Sequence, residues 1–291
     1  MKTQKYTVDN EYKSVYLYLK AHGFSENYIT NLRKKWGDIV LNNTIVNIRH
    51  KLNPNDILEL NANPNKKTDI EFCILPLDIV YEDEYYILIN KPSGISTMPN
   101  KSHYTNNLAG AICNYMKDKD DNFVLRIINR LDKDTSGLVL VAKSSIAQKD
   151  IHDIDKEYTA ICEGEIKECI TINSPILTIN ENGINQRKRV ISPEGQTAIT
   201  FVSPIKSNQN HSLITLKLKQ GRTHQIRVHL SSIGHPLLGD ELYGTKSELI
   251  NHTALICNKL SFQHPYLQKS LSFEVPPPDD FRVILKTLNL Q

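Results

Sequence analysis

Cysteine is scarce in this chain. Only Cys73, Cys113, Cys162, Cys169 and Cys257 occur among 291 residues, the number is odd, and no two form a C-x-x-C pair. That excludes a disulfide framework and a zinc ribbon, and suits a cytosolic protein whose cysteines serve as small core residues. Long apolar runs are missing too. Leu138 to Ala142 is among the longest, far short of the roughly 20 residues that cross a bilayer. The first twenty residues are rich in Lys and Tyr and contain no apolar core, so no secretory signal is expected and the chain reads as cytoplasmic, without a membrane partner. There is no internal repeat, no low-complexity tract, no glycine-rich phosphate loop and no cysteine–histidine cluster. His224 and His229 stand five apart, which does not place them on one helical face as i, i+4 spacing does. No metal site is expected, and both histidines read as structural.

What is present is ordinary in bulk, with 40% hydrophobic and 23% charged residues. Such a composition is that of an ordinary globular protein, and 291 residues suggest one large domain plus a small one, or two of middling size. The net charge of +3 is unevenly placed: the first 67 residues hold eleven Lys and Arg against six Asp and Glu. A basic front segment points either to contact with a polyanion or to a solvated helix face.

Residues 13–60 have a compact pattern. Val15, Leu19 and Ala21 predict a short helix stopped at Gly23. Ser25 can cap a second helix with Tyr28, Ile29 and Leu32 inward, ending in Arg33-Lys34-Lys35, where cations suit the negative end of the helix dipole. Ile39 to Leu41 and Ile45-Val46 flank Asn42-Asn43, a pair that tolerates the left-handed turn of a tight hairpin. Ile57 to Leu60 forms a further strand. Residues 61–69 are polar and aperiodic, and read as a linker. Beyond them the pattern predicts strands at Phe72–Leu75, Ile79–Tyr81, Tyr86–Ile89, Gly137–Ala142, Tyr158–Cys162, Thr197–Val202 and Leu213–Leu218, with a helix at 106–117. Runs of strands with occasional helices argue for an α+β domain with a mixed, mostly antiparallel sheet.

Four segments carry candidate chemistry. Arg130-Leu131-Asp132-Lys133-Asp134-Thr135-Ser136-Gly137 puts a carboxylate on a loop braced by a core strand. Asn90-Lys91-Pro92 is a rigid turn bearing one cation. Lys156-Glu157-Tyr158 places an aromatic ring on a strand. Gly221-Arg222-Thr223-His224-Gln225-Ile226-Arg227 reads as a helix entered near Thr223, with Arg222 at its mouth able to fork onto a carboxylate or phosphate.

Together with Gly239-Asp240-x-x-Tyr243-Gly244 and His252-Thr253-Ala254-Leu255, these segments strongly resemble the pseudouridine synthases of the RluA/RluD type, over residues 75–280. Residues 13–60 resemble the RNA-binding module named after ribosomal protein S-four. The resemblance implies a small α+β S-four-like RNA-binding domain over 1–65 and an α+β synthase domain over 70–291. One departure is visible: Asn129 stands where the family usually has His. What the resemblance implies chemically is isomerisation of uridine in RNA, with no cofactor and no metal. It makes Asp132 the nucleophile or base and Arg222 the cation paired with it. Tyr158 would stack on the uracil and assist proton removal from carbon 5, and Leu255 would pack on the other side. Arg130 would fill the place of the extruded base, and Arg33, Lys34 and Lys35 would face RNA. Large-subunit ribosomal RNA is the leading substrate, ahead of transfer RNA, and the protein is expected to be a monomer.

Two rivals fit parts of the pattern. A glycoside hydrolase could use Asp132 and Asp134, but it requires a separated acid and base and has no use for a basic front. A non-catalytic RNA-binding or ribosome-assembly protein would account for the front module and not for Asp132, Tyr158 and Arg222.

Overall fold

The computed structural model describes residues 3–24, 26–34, 39–61, 70–99, 105–120, 123–181 and 184–291. The front of the chain runs β1 (Thr3–Thr7), α1 (Val15–Ala21), α2 (Glu26–Lys34), β2 (Ile39–Leu41), β3 (Thr44–Ile45) and β4 (Ile57–Asn61). Its strands form one antiparallel sheet in the order β1-β4-β2-β3. Ser14 caps α1, its side chain accepting from the Leu17 N–H. Asn42 and Asn43 turn the β2–β3 hairpin at φ 48° and 68°, the left-handed pair that such a turn requires. Val15, Leu19, Ile29, Leu32, Leu52, Leu58 and Leu60 close a core of their own. Arg33 and Lys34 fall on the last turn of α2, whereas Lys35 and the expected cap Ser25 lie outside the described residues.

The rest of the chain contributes β5 (Asp78–Glu82), β6 (Tyr86–Lys91), α3 (Leu108–Lys117), β7 (Arg126–Ile127), β8 (Ser136–Ala142), α4 (Ser145–Asp150), β9 (Asp155–Glu163), β10 (Ile170–Asn173), β11 (Ile176–Glu181), β12 (Ile184–Ile191), β13 (Ile199–Ser207), β14 (His211–Leu218), α5 (Gln225–Ser232), β15 (Leu255–His264), β16 (Lys269–Glu274) and α6 (Asp279–Thr287). One ten-stranded sheet dominates, in the order β10-β13-β14-β9-β15-β8-β6-β5, with β16 on β15 and β7 on β8. Every named pairing in it is antiparallel except β15 with β8. The chain is therefore α+β with a mixed, mostly antiparallel sheet. The β11–β12 hairpin forms a separate two-stranded ribbon. Among the described residues, no helix is long and apolar enough to cross a membrane.

The strand expected at Phe72–Leu75 is absent. That stretch lies instead along α3: Cys73 N–H donates to Gly110 O at 3.4 Å and its thiol to Asn107 O at 3.1 Å. Its backbone is committed to the helix start, which leaves Ile74 exposed. Strands β10 to β12, β15 and β16 lie outside the strands expected from the sequence. Among the described residues, the front of the chain meets the rest where the Lys149 ammonium of α4 sits 3.7 Å from the centre of the Phe24 ring.

The parallel seam between β8 and β15 positions everything that follows. Strand β8 is buried at all seven positions, so it can hold a loop rigidly at its start. Gly137 pairs with Cys257 and has φ +110°, and a Cβ there would meet Cys257 O at 2.2 Å. Both conformation and close backbone approach demand glycine. Gly137→Ala is expected to cost more than about 3 kcal/mol of stability through combined strain and clash. Loss of cooperative unfolding, or a strong drop in Tm, checks this; an unchanged Tm contradicts the seam.

Candidate active site

A cleft of 310 Å3 opens at the end of the β8–β15–β9 seam, lined by Arg130, Asp132, Tyr158, Arg222, His224, Arg227 and Leu255 among others. Five of the residues expected from the sequence thus share one cavity: Asp132, Tyr158, Arg222, Arg130 and Leu255. Arg33 and Lys34 stand on α2, elsewhere in the fold.

Asp132 is carried by a loop that is tied down on every side. Thr135 N–H donates to Asp132 O at 3.2 Å, closing the turn. Thr97 donates its hydroxyl to Leu131 O at 2.6 Å and accepts from the Leu131 N–H at 3.2 Å. Asn129 donates to Leu138 O at 3.0 Å and accepts from the Leu140 N–H at 2.8 Å. Its amide thereby replaces a peptide group against β8, so this departure from the family pattern is structurally satisfied. Lys91, fully buried, donates to the carbonyls of Pro92, Ile95 and Lys133 at 2.8, 2.8 and 3.2 Å. The last of these belongs to the Asp132 loop. Burial pushes the Lys91 pKa down to about 7, opposed by the charges of Asp134 and Asp132.

The cation beside Asp132 is not the expected one. Arg222 lines the cleft, but its Nε donates to Thr197 O at 3.2 Å and its side chain is exposed. Helix α5 begins at Gln225 rather than near Thr223, so Arg222 stands three residues ahead of the helix instead of at its mouth. The third helical residue, Arg227, is the one whose side chain reaches back over the helix start, as helical side chains do. Its Nε and Nη2 fork onto Asp240, both at 2.7 Å, leaving Nη1 3.8 Å from Asp132 Oδ2. Burial disfavours the Arg227 charge, but the Asp240 hydrogen bonds and the charges of Asp240 and Asp132 outweigh it and hold its pKa above the ordinary value. Asp240 is fully buried and also accepts from the Leu242 and Tyr243 N–H groups at 3.1 and 3.2 Å.

His224 corrects a second expectation. His229 is structural: its ring bonds Thr200 Oγ1 at 2.8 Å and Ser174 O at 2.9 Å. His224 instead faces the cleft, with Nε2 3.9 Å from Asp132 Oδ2. It stands immediately before α5 in the left-handed region, φ 58°. Tyr243 Oη accepts from the Arg189 N–H at 2.6 Å and lies 3.0 Å from His224 Nδ1. The Tyr243 hydroxyl thus fixes the orientation of the His224 ring, with Nε2 toward Asp132. Burial lowers the His224 pKa despite the charge of Asp132, with Arg227 and Arg189 acting in the same sense as burial, and this keeps the ring neutral. Both donors thus approach Oδ2.

Tyr158 lies on β9 and Leu255 at the start of β15, both buried. Burial raises the Tyr158 pKa well above the usual phenol value, helped by Cys257 and by the charge of Asp132, and its hydroxyl donates to the Cys257 sulfur. A phenol held protonated is a poor proton acceptor, so its ring face is the part available to a ligand. Among the described residues, no group of three or more His, Cys, Asp or Glu is placed to hold a metal ion.

Sequence reasoning missed Arg227, Asp240 and His224 as a working group. The signal was present, because Arg227, Asp240 and Tyr243 all sit inside quoted motifs. What was missing was the phase of α5.

The family model described as RNA pseudouridylate synthase matches residues 85–232, from the start of β6 to the end of α5. The uncharacterized RNA pseudouridine synthase YhcT of Bacillus subtilis is 41% identical over 220 residues, covering 72% of each chain. YjbO of the same organism, described in the same words, is 32% identical over 275 residues, covering 92% of this chain and 96% of the relative. The ribosomal large subunit pseudouridine synthase D of Zymomonas mobilis is 36% identical over 236 residues, covering 74% and 73%. Among solved structures, human RNA pseudouridylate synthase domain containing 1 superposes with a TM-score of 0.57 at 21% identity, covering 74% of this chain and 96% of that one. That likeness shows the fold.

Arg227→Met leaves the Asp240 carboxylate buried without its cation and is expected to cost about 3–5 kcal/mol. Arg222→Met, at an exposed position, is expected to stay within about 0.5 kcal/mol of the wild type. Denaturant unfolding of the two variants checks this; equal losses would return Arg222 to the role first assigned to it.

Proposed function

The chain belongs to the RNA pseudouridylate synthase family and is an RNA pseudouridine synthase, an isomerase; on that premise we propose that it converts uridines of large-subunit ribosomal RNA, with Asp132 as the reacting group. The observation that carries this reading is one carboxylate in a 310 Å3 cleft, with Arg227 and His224 on Oδ2 and Tyr158 and Leu255 as buried walls. The volume is at the lower end of ligand sites, about 300–1,000 Å3, and suits a single nucleoside rather than a duplex. The target must therefore leave its stack, at a cost of a few kcal/mol.

The chemistry has two demands. The bond from ring nitrogen 1 to the ribose must break, and carbon 5 must be joined to the same ribose carbon. The proton on carbon 5 is then lost and nitrogen 1 gains one, so the product is an isomer. In this reading Arg227 and His224, 3.8 and 3.9 Å from Oδ2, flank the Asp132 carboxylate that reacts. Tyr158 and Leu255 supply apolar faces between which the freed uracil turns without escaping. Among the described residues lining the cleft, Asp132 is the one carboxylate. We therefore assign it the carbon 5 proton as well, because the Tyr158 phenol is already protonated.

The ribosomal substrate is supported by relatives in Zymomonas mobilis and Pseudomonas aeruginosa, both named ribosomal large subunit pseudouridine synthase D. The front unit, which we read as an S-four-like RNA-binding domain over residues 1–65, would supply backbone affinity through Arg33, Lys34 and Lys35. Its two helices, small sheet and separate core support that division.

Asp132→Asn is expected to abolish tritium release from 5-tritiated RNA while RNA binding persists. Pseudouridine mapping with and without the gene should show loss in large-subunit ribosomal RNA. Loss confined to transfer RNA would overturn the substrate assignment, and no release by the wild type would overturn the enzyme. Replacing Arg33, Lys34 and Lys35 together by Ala is expected to raise KM and reduce the slope of log affinity against log salt by up to about 2–3. An unchanged salt slope would remove these residues from the RNA interface.

A further inference from the structure

A second hollow, also of 310 Å3, lies beside the Asp132 cleft and is lined by Ile70, Met98, Leu125, Arg126, Ile127, Arg130 and Gln148. The two cavities share a wall. The chain from Leu125 to Ile127 borders the second, Ile128 to Asp132 borders the first, and Arg130 borders both. Three residues of extended chain span about 10 Å, so the hollows are close enough for one RNA strand to occupy both.

The lining has the character of a base pocket. Ile70, Met98, Leu125 and Ile127 give apolar walls. Two planar polar groups complete it: the exposed amide of Gln148 and the half-buried guanidinium of Arg126. Arg126 Nη1 donates to Val124 O at 2.6 Å, which fixes the plane of the group while leaving its other nitrogens to a ligand. Stacking on a guanidinium and pairing with a side-chain amide are the usual ways of holding an unstacked RNA base. No carboxylate lines the hollow among the described residues, so nothing there repels a phosphate.

The hollow also borders the front unit. Gln148 immediately precedes Lys149, which covers the Phe24 ring, and the Tyr28 side chain acts electrostatically on Arg126. A strand leaving the cleft toward the front unit therefore passes this pocket.

We propose that the second hollow is a subsite for a nucleobase neighbouring the target uridine, extruded with it and read by Gln148 and Arg126. The proposal rests on the reading of the Asp132 cleft as the place of uridine isomerisation. It gives the enzyme a means of choosing among uridines: the cleft accepts any uracil, and the subsite tests what stands next to it. Arg130, shared by both cavities, would separate the two extruded bases.

The test uses the full chain and 5-tritiated total RNA from cells lacking the gene. Gln148→Ala and Met98→Arg, one removing the amide and the other filling the pocket from an exposed position, are read as KM and kcat. KM is expected to rise about five- to tenfold for the loss of one hydrogen bond and more for the filled pocket, with kcat within about twofold. A hairpin carrying the mapped uridine is then made with an abasic residue at each neighbouring position in turn. At one position the abasic substrate should abolish the difference between wild type and Gln148→Ala. Unchanged KM in both variants, or a Gln148→Ala effect that persists with every abasic substrate, overturns the subsite while leaving the synthase intact. Absence of tritium release by the wild type instead overturns the underlying functional reading.

Discussion

A guanidinium with two owners organises the cleft. Arg227 is nearly inaccessible, and Asp240, which takes two of its nitrogens, is completely so. Neither could be buried alone, because an isolated charge in the interior is heavily penalised. The fork therefore fixes the guanidinium plane before any substrate arrives, and the third nitrogen is left at 3.8 Å from Asp132. Positive charge is thus aimed at the reacting carboxylate by a group that cannot swing away to solvent. A surface arginine such as Arg222 would lose that preorganisation with every rotamer change.

The carboxylate side of the contact is held as firmly, but by the backbone. Lys91, Thr97 and Asn129 each grip a different peptide group near Asp132 or its strand. Gly137 lets β8 run against β15 with no side chain between them. Lys91 is informative because its three carbonyl partners match the three hydrogens of an ammonium, whereas burial draws its pKa down to about 7. The neutral amine has two hydrogens for three acceptors. Deprotonation would release one of the three carbonyls, so the brace on the Asp132 loop is itself a titrating element.

Much of this was legible in the sequence. The apolar run from Leu138 to Ala142 announced a buried strand, and the Asp132 loop at its head announced a rigid carboxylate. The α+β class followed from the alternation of strands and isolated helices. Arg227 was hidden by two residues of error in the start of α5, since a first-turn side chain covers the helix mouth and one placed just before it does not. His224 was hidden because its left-handed backbone, φ 58°, takes it out of the helical period used to dismiss it. Asp240 lay in a recognised motif, but its partner is set by the fold of a loop. Strand β15 escaped notice because its apolar run opens with only Leu255, Ile256 and Cys257 before the polar Asn258, itself buried, and Lys259 interrupt it.

The arrangement around Asp132 also limits how the isomerisation can run. Arg227 and His224 stand 3.8 and 3.9 Å from Oδ2, so the positive guanidinium and the imidazole both lie beside the carboxylate before substrate arrives. Burial draws the His224 pKa down, which favours a neutral ring beside Asp132. It can orient the group without pairing off its negative charge, as a second full cation would. Burial raises the Tyr158 pKa, so its phenol is held protonated before substrate binds. In the proposed reading, the Asp132 carboxylate faces the uracil between the apolar walls of Tyr158 and Leu255. The same carboxylate is then best placed both to open the glycosidic bond and to receive the proton from carbon 5.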